Sequence, residues 1–441
     1  MNHFTVELNL DNHINILKER AFLVGVIKGD ETYEKVKSNL LELSLLAETA
    51  GAVSVESIIS KIYRISPKYF IGKGKAEQII NQAKALNINL IIFDDDLSPT
   101  QTRNFHKISD KIKIIDRTGL ILDIFTNNAK TTESKTQVEL ARLQYLLPRL
   151  TRMWTHLERQ MGGIGARAGA GETQIEIDRR LIRNKISKLK NRIKSIEKER
   201  ITQSLRRKEK FRVSLVGYTN AGKSTLLNTL TGSQVYAKDK LFATLDTTVK
   251  SLKLKKNNEI LLSDSVGFIR KLPHDLVASF KSTLKEVVES DLLLIVVDAS
   301  SKNLDDELLT VKEVLNSINA KTNNSLIVLN KIDLLKSLEL KGLKNRFPDG
   351  IFISAKNSIM IDDLLNQINN YIKKNFITHD LKLKFSQIKL LNKIYNLVEV
   401  IKCDYRTDYI SLKITGNPII VKKIIYDTKK SLKNDINGTP I

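Results

Sequence analysis

Residues 217–225 read Gly-Tyr-Thr-Asn-Ala-Gly-Lys-Ser-Thr and follow the apolar run Phe211-Arg212-Val213-Ser214-Leu215-Val216. The pattern G-x-x-x-x-G-K-[ST] between a short buried strand and a helix starting at Lys223 is a phosphate-binding loop. Gly217 and Gly222 let the backbone curl, so that the N–H groups of Tyr218, Thr219, Asn220 and Ala221 turn toward phosphate oxygens. Lys223 is a mobile charge for the β- and γ-phosphates, Ser224 offers a hydroxyl to Mg²⁺, and Thr225 continues the helix beneath the phosphates. Strand, loop and helix in this order predict a doubly wound α/β sheet.

Downstream motifs select the base. The strand-like Glu259–Ser263 ends in Asp264-Ser265-Val266-Gly267, a D-x-x-G in which the carboxylate reaches Mg²⁺ through water and Gly267 offers its N–H to the γ-phosphate. Ser325–Leu329 ends in Asn330-Lys331-Ile332-Asp333. A carboxylate at Asp333 accepts from both N1–H and the exocyclic amine of guanine, donors that adenine lacks in that arrangement. Ile351-Phe352-Ile353 then runs into Ser354-Ala355-Lys356, where a backbone N–H meets guanine O6. Each short motif alone is weak; four in this order, each at the end of a strand, resemble a translation-factor-type GTPase domain over 209–374.

Composition bounds the setting. The 441 residues hold 72 Lys+Arg against 49 Asp+Glu, a net charge of +23. Such a surplus favours a polyanionic partner, nucleic acid or an acidic membrane surface, with a Lys-rich proteome bias as the alternative. The lone Cys403 excludes an internal disulfide and fits a reducing cytosol. Met1–Glu7 carries neither a basic n-region nor an apolar h-region, so no signal peptide is expected. The longest apolar run, Leu292–Val297, is far too short to span a bilayer and reads as a core strand. Scattered His and Cys form no metal-ligand spacing.

Residues 1–130 alternate strands and helices. Phe22–Val26 and Leu90–Phe93 read as strands, and Leu40–Thr49 as a helix ending at Gly51. Ser98-Pro99 opens another helix with a cap and a first-turn proline. This is an N-terminal α/β domain with a parallel sheet. Asp94-Asp95-Asp96 reads as turn and helix-dipole chemistry rather than a metal site.

The stretch 131–208 differs. Leu143, Leu147, Leu150, Trp154 and Leu157 step by four and three, as do Ile182, Ile186, Leu189, Ile193 and Ile196 after Ile175. Two long helices are expected as an antiparallel hairpin, the first kinked at Pro148. Residues 161–171 between them form a Gly-rich tip. Its Gly163, Ile164, Gly165 and Arg167, together with Arg179, Arg180, Arg183 and Lys188 on the second helix, are candidate RNA contacts. A small α+β C-terminal domain, 375–441, has a helix near Gln387–Glu399, an alternating strand at Tyr409–Lys413, and a last helix opened by Asn417-Pro418.

Leu41-Glu42-Leu43 through Glu48-Thr49-Ala50-Gly51-Ala52, Tyr69–Lys75, Phe93–Pro99, Ile115–Phe125 and Gln137–Ala141 are similar to the HflX family of GTPases. So are Glu158–Gln174 and Leu241-Phe242-Ala243-Thr244-Leu245-Asp246. The resemblance covers about residues 20–374. It implies a cytoplasmic protein that binds the large (50S) ribosomal subunit and its rRNA and splits stalled 70S ribosomes, the hairpin reaching toward the peptidyl transferase centre. It also implies that Thr244 binds Mg²⁺, joining Lys223 and Gly267 in catalysis, with Phe242–Asp246 beside GTP. Two positions depart from the family pattern: Thr247 stands where a Pro usually follows the switch Asp, and the tip reads Gly169-Ala170-Gly171 in place of Gly-Pro-Gly. Asn220 occupies the place that holds K⁺ in several related GTPases, with a plain loop Asn as the alternative. After Gly267 stands Phe268, which cannot hydrogen-bond a water, so slow intrinsic hydrolysis raised by the ribosome is expected. Two further readings stay open, an RNA-binding ribosome-assembly GTPase and an ATP-dependent rRNA remodeller acting through the N-terminal domain. A monomer is expected.

Overall fold

The computed structural model describes residues 19–150, 174–205, 210–233, 241–254, 259–271, 273 and 284–437. The first sheet comprises β1 (Arg20–Lys28), β2 (Val53–Ile62), β3 (Leu90–Phe93) and β4 (Lys113–Asp116) in the order β2-β1-β3-β4, with every pairing parallel. Between and after them run α1 (Tyr33–Ala50), α2 (Lys73–Ala85), α3 (Pro99–Ile108) and α4 (Arg117–Asn128). All four residues of β3 are buried, as a parallel strand covered on both faces requires. Helix α1 stops at Gly51, whose φ of 96° is left-handed and whose N–H caps the carbonyls of Ala47 and Glu48. Helix α3 starts on a capping box, with the Ser98 hydroxyl accepting from Gln101 N–H and Pro99 in the first turn.

The acidic turn after β3 is ion-paired, which goes beyond the turn and dipole role expected for it. Arg117, 2% exposed, donates to Asp94 at 2.6 Å and to Glu42. Lys28 meets Asp95 at 2.7 Å, and the Thr118 hydroxyl donates to Asp96 at 2.5 Å. Among the described residues no cluster of three metal-ligating side chains occurs.

Two long helices follow, α5 (Thr132–Leu146) and α6 (Gln174–Leu205). At the expected kink, around Pro148, the α-helix ends at Leu146 and a 3₁₀ turn spans Leu147–Arg149; the rest of the expected first helix lies outside the described residues. Proline lacks the N–H that would continue the ladder, and its ring clashes with the carbonyl four residues back. Arg149 then donates to Leu97 O at 2.7 Å and to Asp116 at 3.0 Å, stacked 3.7 Å from the Tyr145 ring. On α6, Leu189 is buried and Ile182, Ile186, Ile193 and Ile196 are half-buried, the seam read from their spacing. Lys185 pairs with Glu139 at 2.5 Å. Trp154, Leu157 and the tip 161–171 lie outside the described residues.

The second sheet contains β5 (Phe211–Gly217), β6 (Thr248–Lys253), β7 (Glu259–Asp264), β8 (Leu292–Asp298), β9 (Ser325–Asn330) and β10 (Ile351–Phe352), in the order β10-β9-β8-β5-β7-β6. Only β6 runs antiparallel to its neighbour. Helices α7 (Lys223–Thr231), α8 (Lys285–Val288), α9 (Leu304–Ser317), α10 (Ser337–Arg346) and α11 (Ile361–Lys374) accompany it. One apolar core under the sheet joins Val213, Leu215, Leu226, Leu262, Leu294, Val328 and Ile368. This is a doubly wound sheet, an architecture whose ligand site lies at the carboxyl ends of the strands.

The third sheet, β11 (Ile377–Lys384), β12 (Glu399–Tyr405) and β13 (Tyr409–Gly416), is antiparallel in the order β11-β13-β12, with α12 (Ile388–Leu397) and α13 (Pro418–Asn437). Two of its strands were not anticipated from sequence. The chain divides into two compact units, one of 1–127 with 138–189 and one of 128–137 with 190–441. No helix among the described residues is long and apolar enough to cross a membrane.

Candidate functional site

The phosphate cleft forms where β5 turns into α7. A Cβ on Gly217 would lie 2.1 Å from Val296 O, and one on Gly222, whose φ is 91°, would lie 2.2 Å from Asn330 Nδ2. Both glycines are therefore demanded by close approach of neighbouring strand ends. Thr219, Asn220, Gly222, Lys223, Ser224 and Thr225 line the cleft on the loop side. Phe242, Ala243 and Thr244 line it from the switch, and Ser265 and Gly267 from the end of β7.

Lys223 is 5% exposed and folds back to donate to Gly217 O at 3.2 Å and Tyr218 O at 2.8 Å. Burial pushes its ammonium pKa down to about 8, with the Asp264 carboxylate opposing that fall. Asp264 itself is fully buried, and burial pushes its pKa up. Lys223 and Asp264 thus share one desolvated site, and both are costly as charges until an anion and a cation complete it. A Cβ on Gly267 would sit 3.0 Å from Lys223 Nζ, so this glycine leaves the ammonium its space.

Three oxygens converge beside the lysine. The Ser224 hydroxyl donates to Asp264 Oδ2 at 2.5 Å and stands 2.8 Å from the Thr244 hydroxyl. Among the described residues the other carboxylate oxygen, Asp264 Oδ1, is buried with no hydrogen-bond partner. Hard oxygen donors around an under-satisfied buried carboxylate suit Mg²⁺, which keeps several waters and takes few protein ligands. The residues present therefore fit that ion.

Not every residue expected beside the nucleotide lines the cleft. Ala221 and Val266 are buried behind it, and Leu245 is 1% exposed. The Tyr218 hydroxyl accepts from Arg270 N–H at 2.9 Å. Asp246 points elsewhere, accepting from the N–H groups of Lys130 and Thr131 at 3.0 and 3.4 Å and from the Thr131 hydroxyl at 2.6 Å. Phe268 is buried, and its backbone pairs with the loop: Thr219 N–H donates to Phe268 O at 2.7 Å, and Phe268 N–H to Gly217 O at 3.1 Å. Its ring does not line the cleft.

On the base side, Asn330 acts as a clamp. Its amide donates to Ala221 O at 2.9 Å and accepts from Ala355 N–H at 2.9 Å, tying the phosphate loop to the Ser354–Lys356 loop. Thr229 on α7 donates to Ala355 O at 2.8 Å, a second tie. Ser354 is fully buried, while Lys356 is exposed. Lys331 has a left-handed φ of 65° and pairs with Asp298 at 2.7 Å; Ile332 and Asp333 follow in a 3₁₀ turn with Asp333 exposed. Sequence reasoning missed Asp298, although an apolar strand ending in Asp-Ala-Ser carried the signal. It also missed Asn128 and Thr131; a Thr just before a helix is a cap signal, but nothing in the sequence linked either residue to the switch. Of the candidate RNA contacts, Arg180, Arg183 and Lys188 are exposed on α6 and Arg179 is half-buried. Gly163, Ile164, Gly165 and Arg167 lie outside the described residues.

A doubly wound sheet with a phosphate loop, a buried D-x-x-G aspartate and an N-K-x-D turn at successive strand ends defines a P-loop GTPase. Three family descriptions match the chain: "GTP-binding GTPase N-terminal" over 37–126, "GTP-binding GTPase Middle Region" over 128–207, and "50S ribosome-binding GTPase" over 212–331. GTPase HflX of Flavobacterium psychrophilum is 51% identical over 322 residues, 73% of this chain and 77% of the relative. GTPase HflX of Escherichia coli is 43% identical over 388 residues, covering 87% and 90%. A crystal structure of a GTP-binding protein from Sulfolobus solfataricus in complex with GDP aligns over 80% of this chain and 98% of its own, with 25% identity and a TM-score of 0.41. The chain belongs to the HflX family of GTPases.

Proposed function

We propose that this GTPase binds the large ribosomal subunit in its GTP form and takes stalled 70S particles apart. The observation that carries the reading is the match of 212–331 to the 50S ribosome-binding GTPase description, joined in one chain to a helix bearing exposed Arg180, Arg183 and Lys188. Basic side chains on a stiff helix suit rRNA phosphates.

In the cleft, Lys223 leaves the carbonyls of Gly217 and Tyr218 to neutralise the β- and γ-phosphates, and Gly267 N–H faces the γ-phosphate. Ser224, Thr244 and Asp264 would hold Mg²⁺, and the ion would supply charge neutralisation at the phosphates. Asp333 accepts the two guanine donors, and the Ser354–Lys356 loop, tied down by Asn330, offers a backbone N–H to O6. Phe268 offers no group to a nucleophilic water, so turnover is slow until the ribosome supplies one. Asn220, exposed at the rim of the cleft, takes a monovalent cation in this reading; faster turnover in K⁺ than in Na⁺, lost in Asn220→Ala, tests that role.

Co-sedimentation with purified large subunits tests the whole reading. Pelleting with a non-hydrolysable GTP analogue but not with GDP is expected, weakening steeply as salt is raised. Equal pelleting with both nucleotides, or none with either, overturns it.

A further inference from the structure

We propose that Asn128 and Thr131, in the joint between α4 and α5, are positioning residues for GTP hydrolysis because they hold the switch loop in the form that presents Thr244. The inference rests on the reading of Thr244 as a ligand for Mg²⁺. Thr244 lies between two anchors. On one side Phe242 adopts a left-handed φ of 55°, a conformation that a bulky side chain keeps only where its surroundings impose it. Those surroundings are the Thr219 hydroxyl, which accepts from Phe242 N–H at 2.9 Å, and the Asn128 amide, which donates to Phe242 O at 2.8 Å.

On the other side Asp246 is gripped by three donors, the N–H groups of Lys130 and Thr131 and the Thr131 hydroxyl. The same Thr131 oxygen accepts from Ser134 N–H at 3.2 Å, so one hydroxyl both caps the start of α5 and fastens the switch. Neither Asp246 nor Asn128 lines the phosphate cleft. Their hold bears on the cleft through the switch residues Phe242, Ala243 and Thr244, the last with its hydroxyl 2.8 Å from that of Ser224.

GDP has no γ-phosphate for the switch to close over, whereas GTP needs Thr244 in place. Weakening the anchors therefore discriminates between the two nucleotides, while a general loss of folding does not. In the full chain, Asn128→Ala and Thr131→Val are each expected to weaken binding of a non-hydrolysable GTP analogue about five- to tenfold, the worth of one hydrogen bond. Turnover should fall by a similar factor and GDP affinity stay within about twofold. Thr131→Ser keeps the hydroxyl and should restore analogue binding. Hydrogen exchange at 241–248 in the analogue-bound state should be faster in the two weakened variants and normal in Thr131→Ser. Thr244→Ala run in parallel separates the two claims. If it abolishes the preference for the analogue over GDP while Asn128→Ala and Thr131→Val keep that preference, the anchor is refuted. If Thr244→Ala itself leaves the preference unchanged, the reading of Thr244 as a ligand fails first.

Discussion

Replacing Asn330 by alanine probes the clamp between phosphate and base loops. The side chain is 2% exposed and makes two hydrogen bonds of 2.9 Å, to Ala221 O and from Ala355 N–H. Each neutral hydrogen bond contributes about 1 kcal/mol net, and a buried group left without a partner costs about 1–3 kcal/mol. Ala221 is buried at the phosphate loop and Ala355 at the base loop, so both orphaned groups sit in the nucleotide site. Water admitted beside the smaller side chain recovers part of the loss, leaving about 2–3 kcal/mol. If that cost falls on the bound state, nucleotide affinity drops roughly thirty- to 150-fold. Titration of a fluorescent GDP analogue, with melting temperature followed in parallel, measures it. A variant that melts normally and binds GDP within about threefold of the parent would refute the clamp as a determinant of binding.

Asp333→Asn should move preference from guanine toward xanthine nucleotides, since the amide donates where xanthine presents a carbonyl; unchanged GTP affinity in competition with XTP and ATP removes Asp333 from the base site. Large subunits should raise GTP turnover at least about tenfold, equivalent to about 1.4 kcal/mol of transition-state stabilisation. Phe268→Ala should keep most of that stimulation, and a loss as deep as that of Lys223→Ala would give the ring a positioning role. Deleting 163–170 should leave GTP binding intact, preserve partial ribosome binding that fades with salt, and abolish splitting; splitting at the parental rate would reduce the tip to a connector.

The nucleotide site was legible because its chemistry is local. Each motif follows an apolar run and ends a strand, so Lys223, Asp264, Asn330 and Ser354 could be placed before any tertiary contact was known. What the structure adds is pairing across long sequence separations. The Asn330 amide spans 109 residues to Ala221, and Asp246 reaches 115 residues back to the Thr131 hydroxyl. No periodicity reports such contacts. Asp246 was placed with the nucleotide because Leu241–Asp246 resembles the family's switch, yet two residues beyond Thr244 along an irregular loop suffice to turn a side chain to other partners. Asp94 was read as a turn residue for the same reason: Glu42, which shares Arg117 with it, lies in a different helix of the domain. Strands β11 and β12 escaped notice because Lys, Asp and His interrupt their apolar alternation on the exposed face.

The central claim is that GTP-bound protein separates ribosomal subunits. Sucrose-gradient sedimentation of 70S ribosomes with the protein and a non-hydrolysable GTP analogue tests it most directly. The account predicts conversion of 70S into free subunits with the protein on the large one, and intact 70S with GDP. Intact 70S under both conditions, with the protein confined to precursor particles, would contradict it and assign the GTPase to ribosome assembly.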